Sequence, residues 1–195
     1  MAAAGLTMQA VADALGVSRK ALHYYVGDRE GLLTLVVFEL FDQQLNGVEL
    51  PSDGDWRAVL SAYAVAYRDG LVEVGAVTDF TQLHGLSVEA ALALAERVLD
   101  ALLTAGFDPD SARYGLTAAS NIAQSAAQAI VAQTAAGEHR HRAQTSAALQ
   151  REPDDTYPAL RRVLASADSQ GHDAERQFEF ELDLLIAGLD RLLSG

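Results

Sequence analysis

The sequence predicts an all-α protein, with an N-terminal helix-turn-helix unit ahead of a larger helical body. Three observations carry that prediction. Only Pro51, Pro109, Pro153 and Pro158 interrupt 195 residues, and the stretches between them are rich in the strong helix formers Ala and Leu. Apolar residues in those stretches recur with the period of a helix face, and no run alternates convincingly as a strand would. Half of the residues are hydrophobic, enough for a packed core rather than a disordered chain.

Met8, Val11, Ala12 and Leu15 fall on one helical face. Thr7 is placed to cap that helix, because its hydroxyl can accept a bond from a free first-turn N–H. Gly16 suits its end, where a left-handed conformation costs Gly nothing. Ser18 caps a second helix that turns Ala21, Leu22 and Tyr25 inward and leaves Arg19, Lys20 and His23 outward. Gly27 and Asp28 close it and cap a third, running from 29 to 45. Helices this short must pack on something to be stable.

The stretch "NGVELPSDGD", 46 to 55, clusters Gly, Pro, Ser and Asp between periodic segments, so the boundary lies there. It divides the chain into residues 1–46 and 55–195. Helical patterns follow over 55–71, 77–84 and 88–105. "GFDP" at 106–109 breaks the chain, and a long helix spans 110–136. Residues 137–157 are polar and unpatterned, and are expected to be mobile. Pro158 opens a short helix to 165. Gly171 and Asp173 introduce the last, which ends near 193.

Composition excludes several functions. The chain has no Cys, so disulfides, thiolate catalysis and Cys-ligated zinc are ruled out, in keeping with a reducing cytoplasm. No apolar run reaches the roughly 18 residues a membrane span needs, and "MAAAGLTMQ" lacks the pattern of a signal peptide. A net charge of −13 argues against coating nucleic acid or anionic membrane, so any DNA contact must come from a local basic patch. Residues 17–29 supply one, with Arg19, Lys20 and Arg29 against the single Asp28, and His23 among them. No phosphate-binding glycine loop, nucleophile elbow or paired-His helix appears, so neither an enzyme nor a cofactor is expected. His139 and His141 suit a solvated loop better than a metal site.

A helix, a Gly turn and a second helix with a free outer face meet the needs of a DNA-reading helix-turn-helix. The same shape also serves as a plain packing corner, and the residues alone leave both readings open. "LTMQAVADALGVSRKALHYYVGDREGLL", residues 6–33, resembles the DNA-binding segment of the tetracycline-repressor (TetR) family of bacterial regulators. The likeness rests on the Leu-Thr opening, Val11-Ala12, Leu15-Gly16-Val17, the aromatic cluster ending in Val26, and a basic residue before paired Leu. "DWRAVLSAYAVAYRDGL" (55–71), "LLTAGFDPDSA" (102–112) and "FEFELDLLIAGLDRLL" (178–193) are similar to the ligand-binding, dimerising domain of the tetracycline-type subgroup. Family members normally carry a complete first helix before the Leu-Thr. Here Met1 to Gly5 precede it, so either the sequence is shortened or DNA binding is weak.

The resemblance implies that Gln9, Arg19 and Lys20 meet base edges, where Arg suits guanine and Gln adenine. It implies that Thr7, His23, Tyr25 and Arg29 hold phosphates and set the register. Tyr24 is expected to fill the seam below the third helix. His23 stands where the family most often has Tyr.

Phe178, Leu182, Leu185, Leu189 and Leu192 form one apolar stripe on the last helix, and Phe180, Leu184, Ala187 and Gly188 another. A helix apolar on two sides is buried on two sides, one against its own core and the other against a partner copy, unless the whole helix is internal. Phe178, Leu182, Leu185 and Leu189 are taken as the dimer interface. Polar or aromatic residues within apolar helices (Tyr63, Tyr67, Thr81, His84, Asn121, Gln124 and Gln128) are candidates to line a pocket for an organic effector. Each suits a core or surface position equally well, and His84 has no second ligand at metal-binding spacing. The expected function is a homodimeric repressor released from operator DNA by a small molecule. The alternative is a dimeric sequestering protein whose DNA-binding head does not function.

Overall fold

Capping chemistry sets the first three helices. The computed structural model describes residues 7–51, 55–75, 89–136, 140–153, 155–170 and 174–194. Its first helices are α1 (Met8–Leu15), α2 (Arg19–Val26) and α3 (Arg29–Asn46). Thr7, Ser18 and Asp28 precede them in extended conformation, and their side chains accept from the amides of Ala10, Ala21 and Gly31. Gly16 turns the chain out of α1 with φ at 67°. Its N–H donates to the Asp13 carbonyl, and that of Val17 donates to Ala12, satisfying the last carbonyls of the helix.

Six further helices follow among the described residues: α4 (Trp56–Gly75), α5 (Glu89–Thr104), α6 (Pro109–Ala136), α7 (Arg140–Leu149), α8 (Pro158–Gln170) and α9 (Ala174–Ser194). Most lie where the periodicity places them, and no strand occurs among the described residues. The helix expected over 77–84 lies outside the described residues. The expectation of an unstructured 137–157 is corrected, because α7 occupies much of it. Periodicity misses α7 because, among its described side chains, Leu149 alone is buried. What ends it is distant in sequence: the Arg161 guanidinium of α8 donates to the carbonyls of Leu149, Glu152 and Pro153.

The chain builds two cores. Met8, Ala12, Leu22 and Leu32 form a small one, edged by Val11 and Val26. The large one joins Val37, Phe41 and Leu45 of α3 to the inner faces of α4, α5, α6 and α9. Helix α3 therefore enters both. At 18 residues it spans about 27 Å, enough to carry one end of the head and anchor the other in the body. Gly70 lets α4 approach α3 closely, since a Cβ there would lie 3.1 Å from the Phe41 ring. Along the described side chains of α6 the buried positions are Ala112, Gly115, Ala119, Ala123, Ala126 and Ala127. Small residues admit α4 and α9 at short distance, and the Leu189 side chain of α9 sits against Gly115.

Polar ties fix the register of these helices. Tyr63 on α4 is 5% exposed, with its hydroxyl 2.9 Å from Ser120 Oγ on α6. Ser120 donates to the Leu116 carbonyl, so the phenol is the donor to Ser120. Arg57 on α4 pairs with Asp190 on α9. Arg68 is the buried cation among the described residues, at 7% exposed. Its guanidinium lies over the Phe178 ring and binds Asp69 at 2.8 Å and Glu175 at 2.6 Å.

Two outcomes follow. Phe41→Ala empties a site that is 1% exposed and should lower unfolding stability by about 3–5 kcal/mol in a denaturant titration. An unchanged midpoint would show that the α3–α4 joint is not part of the cooperative core. Burial pushes the Tyr63 phenol up from 10.0 to about 12. The folded state thus holds this proton more tightly than the unfolded chain does. The resulting stability is full below pH 10 and is lost as pH rises toward about 12. Tyr63→Phe should flatten that alkaline loss, measured by thermal melts across the window, and identical pH profiles would count against the assignment.

Candidate nucleic-acid interface

The surface of α1 and α2 follows from how two short helices cross. Each has two turns and buries one narrow stripe: Met8 and Ala12 on α1, Leu22 on α2, all closed off by Leu32 of α3. Val11, Ala21 and Val26 edge that stripe, and the rest of both helices faces outward. Arg19 and Lys20 occupy the first turn of α2, and His23 follows one turn later on the exposed side. Gln9 is exposed on α1, with its amide donating to Asp13 at 2.8 Å. Thr7 and Arg29 are exposed at the starts of α1 and α3. Thr7 accepts through its oxygen from Ala10, which leaves its hydroxyl proton available to a phosphate.

Two cations in the first turn of α2 oppose the helix dipole, and no acid accompanies them there. The same placement joins three attractions for an anion: two side-chain charges, the exposed amides of the helix start and the positive dipole end. Arg19 and Lys20 make no ion pair among the described residues.

Three expectations about this surface are corrected. Tyr25 does not turn inward. It is 80% exposed, and Tyr24, expected in the seam below α3, is 84% exposed. Leu22 and Val26 already fill the stripe, so the two tyrosines project beside it and meet edge to face with ring centres 5.3 Å apart. Leu15 is exposed as well, because α1 ends there and nothing among the described residues packs over it.

In the body, Tyr63 and Tyr67 stack with ring centres 5.6 Å apart, and Tyr67 meets Phe41 edge to face. Burial pushes the Tyr67 phenol up as it does that of Tyr63. Gln124, one turn beyond Ser120, is half-buried. Asn121 and Gln128 are exposed on the outer side of α6, opposite the Ala stripe, so their expected place in a pocket wall is corrected. Thr81 and His84 lie outside the described residues, as does His139, and the side chain of His141 is likewise undescribed. A groove of about 480 Å³ runs between the end of α3 and α4, lined by Gln44, Glu49, Val65 and Asp69 among others. None of the expected pocket residues borders it.

The expected dimer interface is also corrected. Phe178, Leu182 and Leu189 are buried in the chain's own core, and Leu185 packs against them. The other stripe is the free one, with Phe180 60% and Leu184 58% exposed, and Leu192, expected on the first stripe, is 65% exposed beside them. Both stripes have helical period, and nothing local distinguishes them. Ser120, Arg68 and Glu175 were not expected in any role, since their partners lie far along the chain.

No helix among the described residues is long and apolar enough to cross a membrane. Residues 49–193 match the family described as Tetracyclin repressor-like, C-terminal domain. The chain is 28% identical over 190 residues to the tetracycline repressor protein class C of Escherichia coli, covering 96% of this chain and 83% of that one. It is similar in structure to ActR of Streptomyces coelicolor in complex with (S)-DNPA, with a TM-score of 0.67 at 25% identity, covering 94% of this chain and 86% of the other. TetR of Acinetobacter baumannii AYE superimposes with a TM-score of 0.62 at 25% identity, over 97% of this chain and 89% of that one. A helix-turn-helix with an outward cationic face, joined to a body that matches this domain over residues 49–193, places the chain in the TetR family of ligand-responsive transcriptional regulators.

Proposed function

We propose that the chain is a homodimeric cytoplasmic repressor, not an enzyme, which leaves its operator when a small organic molecule binds the body. Residues 1–46 are the DNA-reading unit and 55–195 the ligand-binding and dimerising one. The observation that carries the reading is the outward surface of α1 and α2. It gathers Gln9, Arg19, Lys20, His23 and two exposed tyrosines on a chain of net charge −13. An acidic molecule is repelled by DNA everywhere except where local cations reverse the field. Arg19, Lys20 and Gln9 are assigned to base edges, and Thr7, His23, Tyr25 and Arg29 to phosphates.

Dimerisation is assigned to Phe180, Leu184 and Leu192 of α9, beside the exposed side of α6 that carries Tyr114. Three large apolar side chains in one line on one helix are costly to leave in water, at about 1.5–3 kcal/mol each. A second copy related by a two-fold axis covers them and sets two α2 helices at the spacing of successive major grooves. Tyr63, Tyr67 and Gln124 are assigned to the effector site. The complex of ActR with (S)-DNPA supports a body that takes a ligand. An effector acts only through its unequal affinity for the DNA-bound and released arrangements.

Gel-shift titration with the gene's own upstream DNA tests the reading, and no shift at any concentration would favour sequestration instead. In that assay Lys20→Ala should weaken specific binding by about 1–3 kcal/mol and affect random DNA less. An equal loss on both would reassign Lys20 to a phosphate. Leu184→Arg should reduce the mass seen by light scattering to that of a single chain. An unchanged mass would remove α9 from the interface.

A further inference from the structure

We propose that His23 makes DNA binding proton-coupled, because its outer ring nitrogen can donate to a phosphate only when the imidazole is charged. This rests on the reading of α1 and α2 as the nucleic-acid interface. His23 Nδ1 lies 2.5 Å from the carbonyl oxygen of Gly27. A carbonyl oxygen only accepts, so Nδ1 carries the proton of that bond. The pairing is held from both sides, since the Gly27 N–H donates back to the His23 carbonyl at 3.0 Å. Gly27 sits in the left-handed region at φ 73°, a conformation that L side chains rarely adopt, and so returns its carbonyl toward the ring.

A neutral imidazole has one N–H, and here it is spent inward. Nε2 then presents a bare lone pair. A phosphate oxygen also offers only lone pairs, so the neutral ring repels it. Taking one proton from solvent gives Nε2–H and a positive charge together, and no covalent bond changes. DNA thus favours the protonated ring, and affinity must fall as pH rises.

The neighbouring charges do not relieve this. On α2, Arg19 and Lys20 precede the ring and Tyr24 and Tyr25 follow it. On α1, Asp13 accepts from the Gln9 amide. At the start of α3, Asp28 accepts from the Gly31 N–H, with Arg29 and Glu30 beside it. Among the described residues the ring's hydrogen bond is to Gly27, and no carboxylate pairs with it.

The test is fluorescence anisotropy of the full chain on a labelled duplex of its own upstream region, at fixed salt, in steps from about pH 5 to 8. Wild-type affinity should weaken by up to about tenfold per pH unit for each protomer engaged, the limit for one linked proton. His23→Tyr, whose phenol donates across the whole range, should show a flatter slope. Equal slopes with binding intact overturn the role of His23. Absence of binding at every pH by both proteins overturns the interface reading, and this proposal with it. Nitrogen-15 imidazole spectra of the chain without DNA supply an independent check. Wherever the ring is neutral its proton is expected at Nδ1, and a neutral ring protonated at Nε2 overturns the proposal while leaving the interface untouched.

Discussion

Everything the head can do depends on α3 being one unbroken helix shared by two cores. Leu32 near its start completes the small cluster of α1 and α2, while Val37, Phe41 and Leu45 are sealed into the body. The head's own core is too small to fix its orientation, because four buried side chains stabilise little against the entropy of ordering the helices. Packing of Phe41 against Gly70 does that instead. A rigid helix clamped at one end transmits a small change in the α3–α4 contact to the far end with leverage. The aromatic series Phe41, Tyr67, Tyr63 connects that joint to α6 through ring contacts and the Ser120 hydrogen bond. Packed rings shift between discrete arrangements rather than deform gradually, which suits a two-state response.

The electrostatics have the same local character. Net charge says only that most of the surface repels DNA. Two cations at the start of α2 make an exception, where they weaken the helix slightly and form no ion pair among the described residues. That placement leaves both charges, with the positive end of the dipole, available to an external anion. Elsewhere charge is spent on structure. Arg68 is buried with Asp69 and Glu175, both of which remain exposed. Burying a guanidinium is a poor way to add stability, since an apolar side chain of similar size would do as well. What it supplies is a fixed register between α4 and the first turn of α9, the helix that carries the free apolar stripe.

Local chemistry was legible along the chain because its partners are neighbours. Thr7, Ser18 and Asp28 cap three residues ahead, Gly16 ends α1, and apolar spacing locates α4, α5, α6 and α9 to within a few residues. The outward Arg19, Lys20 and His23 follow from the same periodicity. The failures are of another kind. Tyr25 has the spacing of a buried residue, but Leu22 and Val26 occupy the available seam. Asn121 and Gln128 interrupt an apolar helix, yet they lie on its free side. Helix α7 depends on a guanidinium twelve residues beyond its end.

The last helix shows the division most clearly. Its order of residues by itself determined that the segment is helical, that it has two apolar faces, and that such a helix requires two coverings. It determined equally that the acidic chain carries a basic stretch at 17–29 and a turn that presents it. Only the tertiary structure decided that Phe178, Leu182 and Leu189 face inward while Phe180, Leu184 and Leu192 remain open, and that Arg68 meets Glu175. The physical reason is that period and capping act within one turn of helix. The choice between two equivalent faces is made by whichever surfaces from distant segments arrive to cover them.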